Sequence, residues 1–272
     1  MEEIINLRET SDFSLIFERI RNKNLRADID ISEFKYFYPK DILMLVQYFV
    51  IQNYHQIDGS LLLSDVNGWY IQSINLIEFC NTNYKIPSHV KPTSRTAIPI
   101  KRVDTFTMNG YIRDAQNFFA KYCQGKDISA LNICIAEIIN NVSDHSRSEH
   151  DSFIFSQYYK LPKTIVFAIS DLGVGIPDSV NGYMRSIGTG EFSDFEAVDW
   201  AMQKGQSVKS KVHNMGAGFD NIINQIRGIG NIRIFIGGVY CQIDKEGDKY
   251  IGVNPISNFI GTIIEITIDT TK

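Results

Sequence analysis

The sequence has 272 residues, of which 44% are hydrophobic and 12% aromatic, enough apolar material for a buried core and too much for an intrinsically disordered chain. Lys and Arg total 27 against 31 Asp and Glu, a formal net charge of -4. That balance speaks against a broad nucleic-acid-binding face or a polybasic membrane anchor.

From the N-terminus, residues 25–31 alternate like a short strand, and Pro39 stands where a first helical turn would begin the apolar run DILMLVQYFVIQNY. Residues 59–63 read as a second strand and 69–80 as a second helix, an order that suggests a small α/β domain over residues 1–85. The tract IPSHVKPTSRTAIPIKRV, residues 86–103, carries three prolines and reads as a linker rather than a helix or a central strand.

A larger domain is expected over residues 104–272. It opens with a helix near 108–122 and a stronger one from 128 to about 145, with Asp127 as its N-cap. Strand-like runs follow at 152–158 and 164–170, then a helical piece at 192–204 and a helix at FDNIINQIR. The end of the sequence is strand-rich, with NIRIFIGG, VYCQID, KYIGV and TIIEITI. Helices early and strands late predict an α+β fold, a mixed or antiparallel sheet covered by helices on one face.

No apolar run approaches the roughly 20 residues of a membrane helix, and the acidic start MEEIINLRET does not read as a secretory signal. Cys80, Cys123, Cys134 and Cys241 form no C-x-x-C pair, which fits reduced thiols in a cytoplasmic protein.

Four short elements carry chemistry. On the helix ICIAEIINNVSDHS, Leu131, Ile135, Ile138 and Val142 form an apolar face, and Glu137, Asn141 and His145 a polar stripe beside it. An acid and an amide on adjacent turns can hold a hard cation or orient a water. Directly after the apolar strand comes SDLGVG, where Asp171 can accept from a ligand amino group and Gly173 and Gly175 let the backbone approach it. Gly216 and Gly218 open a helix, exposing N–H groups and the positive end of its dipole to phosphate. Gly261-Thr262 precedes the last strand.

Taken in order, EIINN, DLGVG, GAGF and GT resemble the GHKL superfamily, the ATPases typified by gyrase, Hsp-type chaperones, histidine kinases and MutL. The resemblance implies an α/β sandwich that binds ATP with Mg²⁺. Asn141 would coordinate the Mg²⁺ and Glu137 would polarise an attacking water or hydroxyl. Asp171 would accept from the adenine amino group, Gly175 would shape the base pocket, Gly173 would be a further nucleotide-binding residue, and Thr262 would support Asp171 and a bound water. Gly216 and Gly218 would meet the phosphates at the end of a lid running from Asn181 to Met215, with Lys209, Lys211 and His213 inside it. There is no P-loop, Rossmann turn or protein-kinase signature in the sequence.

None of the five histidines lies in a phosphoacceptor box of the histidine-kinase type. The compact size, and Phe219 after the glycine pair, look more like the anti-sigma-factor serine kinases. The N-terminal part is faintly similar to STAS domains, the usual partners of such kinases. Together these resemblances imply an ATP-dependent regulatory protein kinase or ATPase with a regulatory protein partner, a homodimer being left open. The alternative is a non-catalytic module whose lid controls partner binding.

Overall fold

The computed structural model describes residues 4–22, 27–52, 61–84, 93–123, 129–145, 152–203 and 218–271. In the N-terminal part, β1 (Ile4–Asn6), β2 (Asp28–Asp30) and β3 (Leu61–Leu62) form a three-stranded sheet in that order, with both pairings parallel. Parallel neighbours need crossover connections, and α1 (Phe13–Arg21) and α2 (Pro39–Ile51) supply them. After β3 the chain forms α3 (Asp65–Ser73) and α4 (Leu76–Asn81). One continuous helix was expected there. The chain breaks between the two at Asn75, whose left-handed backbone (φ 60°) cannot continue a helix.

The second sheet has seven strands, ordered β4-β5-β6-β10-β7-β8-β9. They are β4 (Ala97–Val103), β5 (Ser152–Tyr159), β6 (Thr164–Asp171), β7 (Gly230–Ile236), β8 (Val239–Ile243), β9 (Lys249–Val253) and β10 (Thr262–Asp269). The helices between them are α5 (Met108–Phe119), α6 (Ser129–His145), α7 (Gly175–Ser186), α8 (Asp194–Ala201) and α9 (Gly218–Ile226). Helical spacing sets α6 in place: Leu131, Ile135 and Ile138 are buried as expected, in the cluster that α6 shares with Tyr111 of α5 and Ile222 of α9.

Strand β4 occupies the end of the tract read as a linker. Its position explains how a proline run can pair: β4 is an edge strand, and its register with β5 shifts between Ile98 and Lys101, around Pro99. Edges and bulges are where a residue without an N–H can sit in a sheet.

The α+β class is as expected, and of the two expected sheet types the antiparallel one is realised: every pairing in it is antiparallel, because short reversals such as Gly237-Gly238 join its neighbours. The sheet differs from the expectation in that both of its faces are covered rather than one. Along β5, Phe153 and Phe155 point to one hydrophobic cluster and Ile154 to the other; along β10, Ile263 belongs to the first and Ile264, Ile266 and Ile268 to the second. Helices α5, α6 and α9 cover the second face. The first is covered by the N-terminal part, chiefly by α2, which packs across β5, β6 and β10.

Helix α2 can do this because it is apolar all round. Every residue from Pro39 to Val50 is buried, the pattern of a helix enclosed on all sides. One side meets α1 and the small sheet, the other the large sheet, so a single hydrophobic cluster runs through both parts. At its N-terminus, Asp41 accepts hydrogen bonds from the Tyr38 backbone N–H at 2.8 Å, Lys40 Nζ at 2.9 Å and Thr10 Oγ1 at 2.8 Å.

The lid expected between Asn181 and Met215 is, up to Gln203, built structure. Residues 181–186 complete α7, and α8 packs back on it through Val180, Met184 and Ala197. The Asn181 side chain holds this turn closed, donating to the Phe192 carbonyl at 2.9 Å and accepting its N–H at 2.8 Å. The remainder of that expected lid lies outside the described residues. Among the described residues, no helix is long and apolar enough to cross a membrane.

Candidate functional site

The site is built around Asp171. Seven residues of β6 lead up to it, and its place beside Thr262 in the β6–β10 ladder leaves it 4% exposed. A carboxylate taken out of water needs donors. Asp171 Oδ1 accepts the Gly173 N–H at 2.7 Å, and the Thr262 side chain supplies a second hydrogen bond. Burial nevertheless dominates and pushes the carboxyl up to about 6, the two hydrogen bonds pulling the other way.

Two glycines make this arrangement possible. Gly175 has φ +76°, and a Cβ there would come within 3.2 Å of Ile236 Cγ2 and 3.9 Å of Thr262 Oγ1. Gly261 has φ +83°, and a Cβ there would overlap the Asp171 carbonyl oxygen. The Gly261-Thr262 pair, which carries little information as a dipeptide, is therefore explained by the close approach of β10 to the end of β6. Gly173 acts through its backbone N–H, in the turn between β6 and α7.

Topology brings two helix ends to this end of the sheet. Six residues join the end of α6 to Ser152, and β5 begins beside the end of β6, with Phe153 opposite Ser170. The last turns of α6, carrying Glu137 and Asn141, accordingly return toward Asp171. Helix α9 is joined by a short turn to the start of β7, and β7 ends with Ile236 opposite Thr262. Packed back along β7, α9 points its first residue, Gly218, to the same end. A hydrogen bond ties the two helices together, Asn221 Nδ2 to Glu137 Oε1 at 3.0 Å.

One turn beyond Glu137, the buried Asn141 Nδ2 has no hydrogen-bond partner. A buried amide nitrogen without a partner calls for an explanation, and a ligand that completes the site is one. Rotating the amide by 180° would present Oδ1, an acceptor, at the same point. Among the described residues no group of three or more His, Cys, Asp and Glu could hold a metal ion by itself. Gly216, Lys209, Lys211, His213 and the side chain of His145 lie outside the described residues.

Two other features stand apart. A groove of about 460 Å³ is lined by Phe192, Phe195, Trp200 and Ile251 with Glu196 and Asp199. It lies at β9, four strands across the sheet from β6, roughly 19 Å at ordinary strand spacing. It is a surface feature of the α8–β9 corner and shares no residue with the Asp171 site. The four cysteines are buried and form no disulfide, and burial holds the Cys134 thiol up at about 12 and Cys241 at about 11, the character of packing groups rather than nucleophiles.

The structure thus brings Asp171 into hydrogen bonds with Gly173 and Thr262, sets Gly175 in the turn that follows, and places Glu137, Asn141 and Gly218 on helices converging on the same end. It adds residues that sequence patterns did not single out. Asn221 is one. Gln47 is another, an amide inside an otherwise apolar helix whose burial demanded a partner; its Nε2 donates to the Asp171 carbonyl at 3.0 Å. Comparison of the chain with models of known protein families and with curated proteins gives no match. The site is read from its geometry.

Proposed function

We propose that the chain binds Mg-ATP at the Asp171 end of the large sheet and works as a cytoplasmic ATP-dependent regulatory protein kinase or ATPase of the GHKL type, acting on a partner protein. One observation carries the reading. A carboxylate is kept almost wholly buried, beside Thr262, Gly261 where a Cβ would overlap the Asp171 carbonyl, and Gly175 where one would press on Ile236, at a cost that packing alone does not require. An adenine amino group would add a donor to the Gly173 N–H and the Thr262 side chain that this carboxyl already bonds, and a dry acceptor favours a base that supplies one.

The remaining roles are these. Gly175, with its left-handed backbone, would turn the chain out of the strand end beside Thr262 and Ile236 without laying a side chain over it. The N–H groups of the first turn of α9, starting at Gly218, would receive phosphate oxygens. The unpaired end of the Asn141 amide fits a single-amide contribution to a Mg²⁺ otherwise held by phosphate, and Mg²⁺ when bound neutralises phosphate charge. Glu137 would accept a proton from the attacking hydroxyl or water.

The hydrogen bond from Asn221 to Glu137 favours a second reading, in which the carboxylate serves helix packing and nucleotide binding alone changes how α9 meets a partner. Calorimetry with Mg-ATP tests the shared premise. Measurable binding that is strongly weakened by Asp171→Asn is expected, and no heat with any adenine nucleotide would overturn it. Incubation with γ-labelled ATP then separates the readings. Phosphate released by the wild type and lost in Glu137→Ala indicates an ATPase, label on a partner a kinase, and neither a binding module.

A further inference from the structure

Among the described residues, the N-terminal part touches the proposed site at one polar point. From Ile42 to Ile51, helix α2 is apolar except for Gln47 and the hydroxyl of Tyr48. Gln47 is fully buried, and its Nε2 donates to the backbone carbonyl of Asp171 at 3.0 Å. On the other side of that carbonyl lies Gly261, where any Cβ would overlap the oxygen. The end of β6 is therefore gripped from behind by α2 and β10, while the Asp171 carboxyl is held in front by Gly173 and Thr262.

The grip is costly, which argues that it is more than filler. Gln47 Oε1 is buried without a partner, and so is the hydroxyl of Ser170, the residue before Asp171. A leucine or methionine at position 47 would fill the same space and leave no orphaned acceptor. Those apolar alternatives lack only the donor to Asp171.

We infer that Gln47 is a positioning residue for Asp171, so that the docking of α2 sets the geometry of the adenine contact and the N-terminal part controls nucleotide affinity. This rests on the ATP reading of the site. The Asp171 side chain and carbonyl branch from one Cα, so a carbonyl free to rotate about the Cα–C bond swings the following chain, and with it the Gly173 N–H, away from the carboxyl. A partner or a substitution that shifts α2 along the sheet would act on the nucleotide through this one bond, without touching it.

The test is Gln47→Met in the full chain, which keeps the volume and removes the donor. Hydrogen exchange at the Gly173 amide should quicken about tenfold while amides of Ile264 to Ile266 in β10 are unchanged, and ATP affinity should fall about tenfold. Unchanged exchange at Gly173 overturns the inference. Exchange that quickens equally along β10 also overturns it, since that is the mark of a purely structural role. So does an unchanged affinity in a protein whose wild type binds ATP. If the wild type binds no adenine nucleotide, the ATP reading fails by itself, and exchange at Gly173 still decides whether Gln47 positions Asp171.

Discussion

Replacing Asp171 by asparagine should make the free protein more stable at neutral pH while removing its adenine contact. Burial raises the Asp171 carboxyl from 3.8 to about 6 in the folded chain. Between these values the folded state keeps a proton that the unfolded state has lost, so stability falls as pH rises through that window, and the whole penalty stands above it. At pH 7 the penalty is about 3 kcal/mol. Asparagine has the same shape; its Oδ1 can still accept from Gly173, and its Nδ2 can donate to the Thr262 hydroxyl. Urea unfolding at a series of pH values is the assay. At pH 7 the variant is expected to be about 3 kcal/mol more stable, roughly 6–10 °C in melting midpoint, and near pH 4 the difference should close. A difference independent of pH, or a variant less stable than wild type at pH 7, would refute the burial argument. A gain in stability coupled to a loss of binding is what a residue retained for function should show.

Alanine at three left-handed glycines should rank by what surrounds them. At Gly261 (φ +83°) the new Cβ overlaps the Asp171 carbonyl, and a cost of about 3 kcal/mol or more is expected. At Gly175 (φ +76°) the neighbour is a side-chain methyl of Ile236 and the cost about 2 kcal/mol; at Gly188 (φ +74°), in open space, about 1 kcal/mol. Urea midpoints measure all three, and equal losses would contradict the ranking. Because one hydrophobic cluster spans α2 and the large sheet, calorimetric unfolding should show a single transition. Leu45→Ala, fully buried in that cluster, should lower it by about 2–5 kcal/mol without splitting it, and two separate transitions would contradict a shared core.

How much of this was legible in the sequence depended on whether a residue's meaning was local. Asp171, Gly173 and Gly175 could be read because an acid and two glycines directly after an apolar strand must form a buried strand end and a sharp turn. The α6 face could be read because its apolar period is strict. Helix α7 was missed: Gly175 and Pro177 within its first turn, and Gly182 inside it, mimic loop composition, although proline is at home in a first turn. Strand β4 reads as linker in the sequence because prolines hide an edge strand as readily as they mark a loop. Helix α2 was recognisable, but its place between two sheets was not, since an all-apolar helix says that it is enclosed and nothing about by what. Gly261 and Gln47 have meaning only through Asp171, residues far away along the chain, and no local pattern carries that.

The enclosure of α2 also bears on the order in which the protein can be made. During synthesis α2 emerges before the strands that complete its cover, with one apolar side already matched by α1 and β2 and the other facing β5, β6 and β10, of which β10 begins only at Thr262. The chain must be made through β10 before that second side is fully covered. The nascent N-terminal part is thus a waiting template that exposes Leu, Met, Val and Phe side chains to whatever holds them, and it is in this interval that the chain is most open to misassembly or to the help of chaperones.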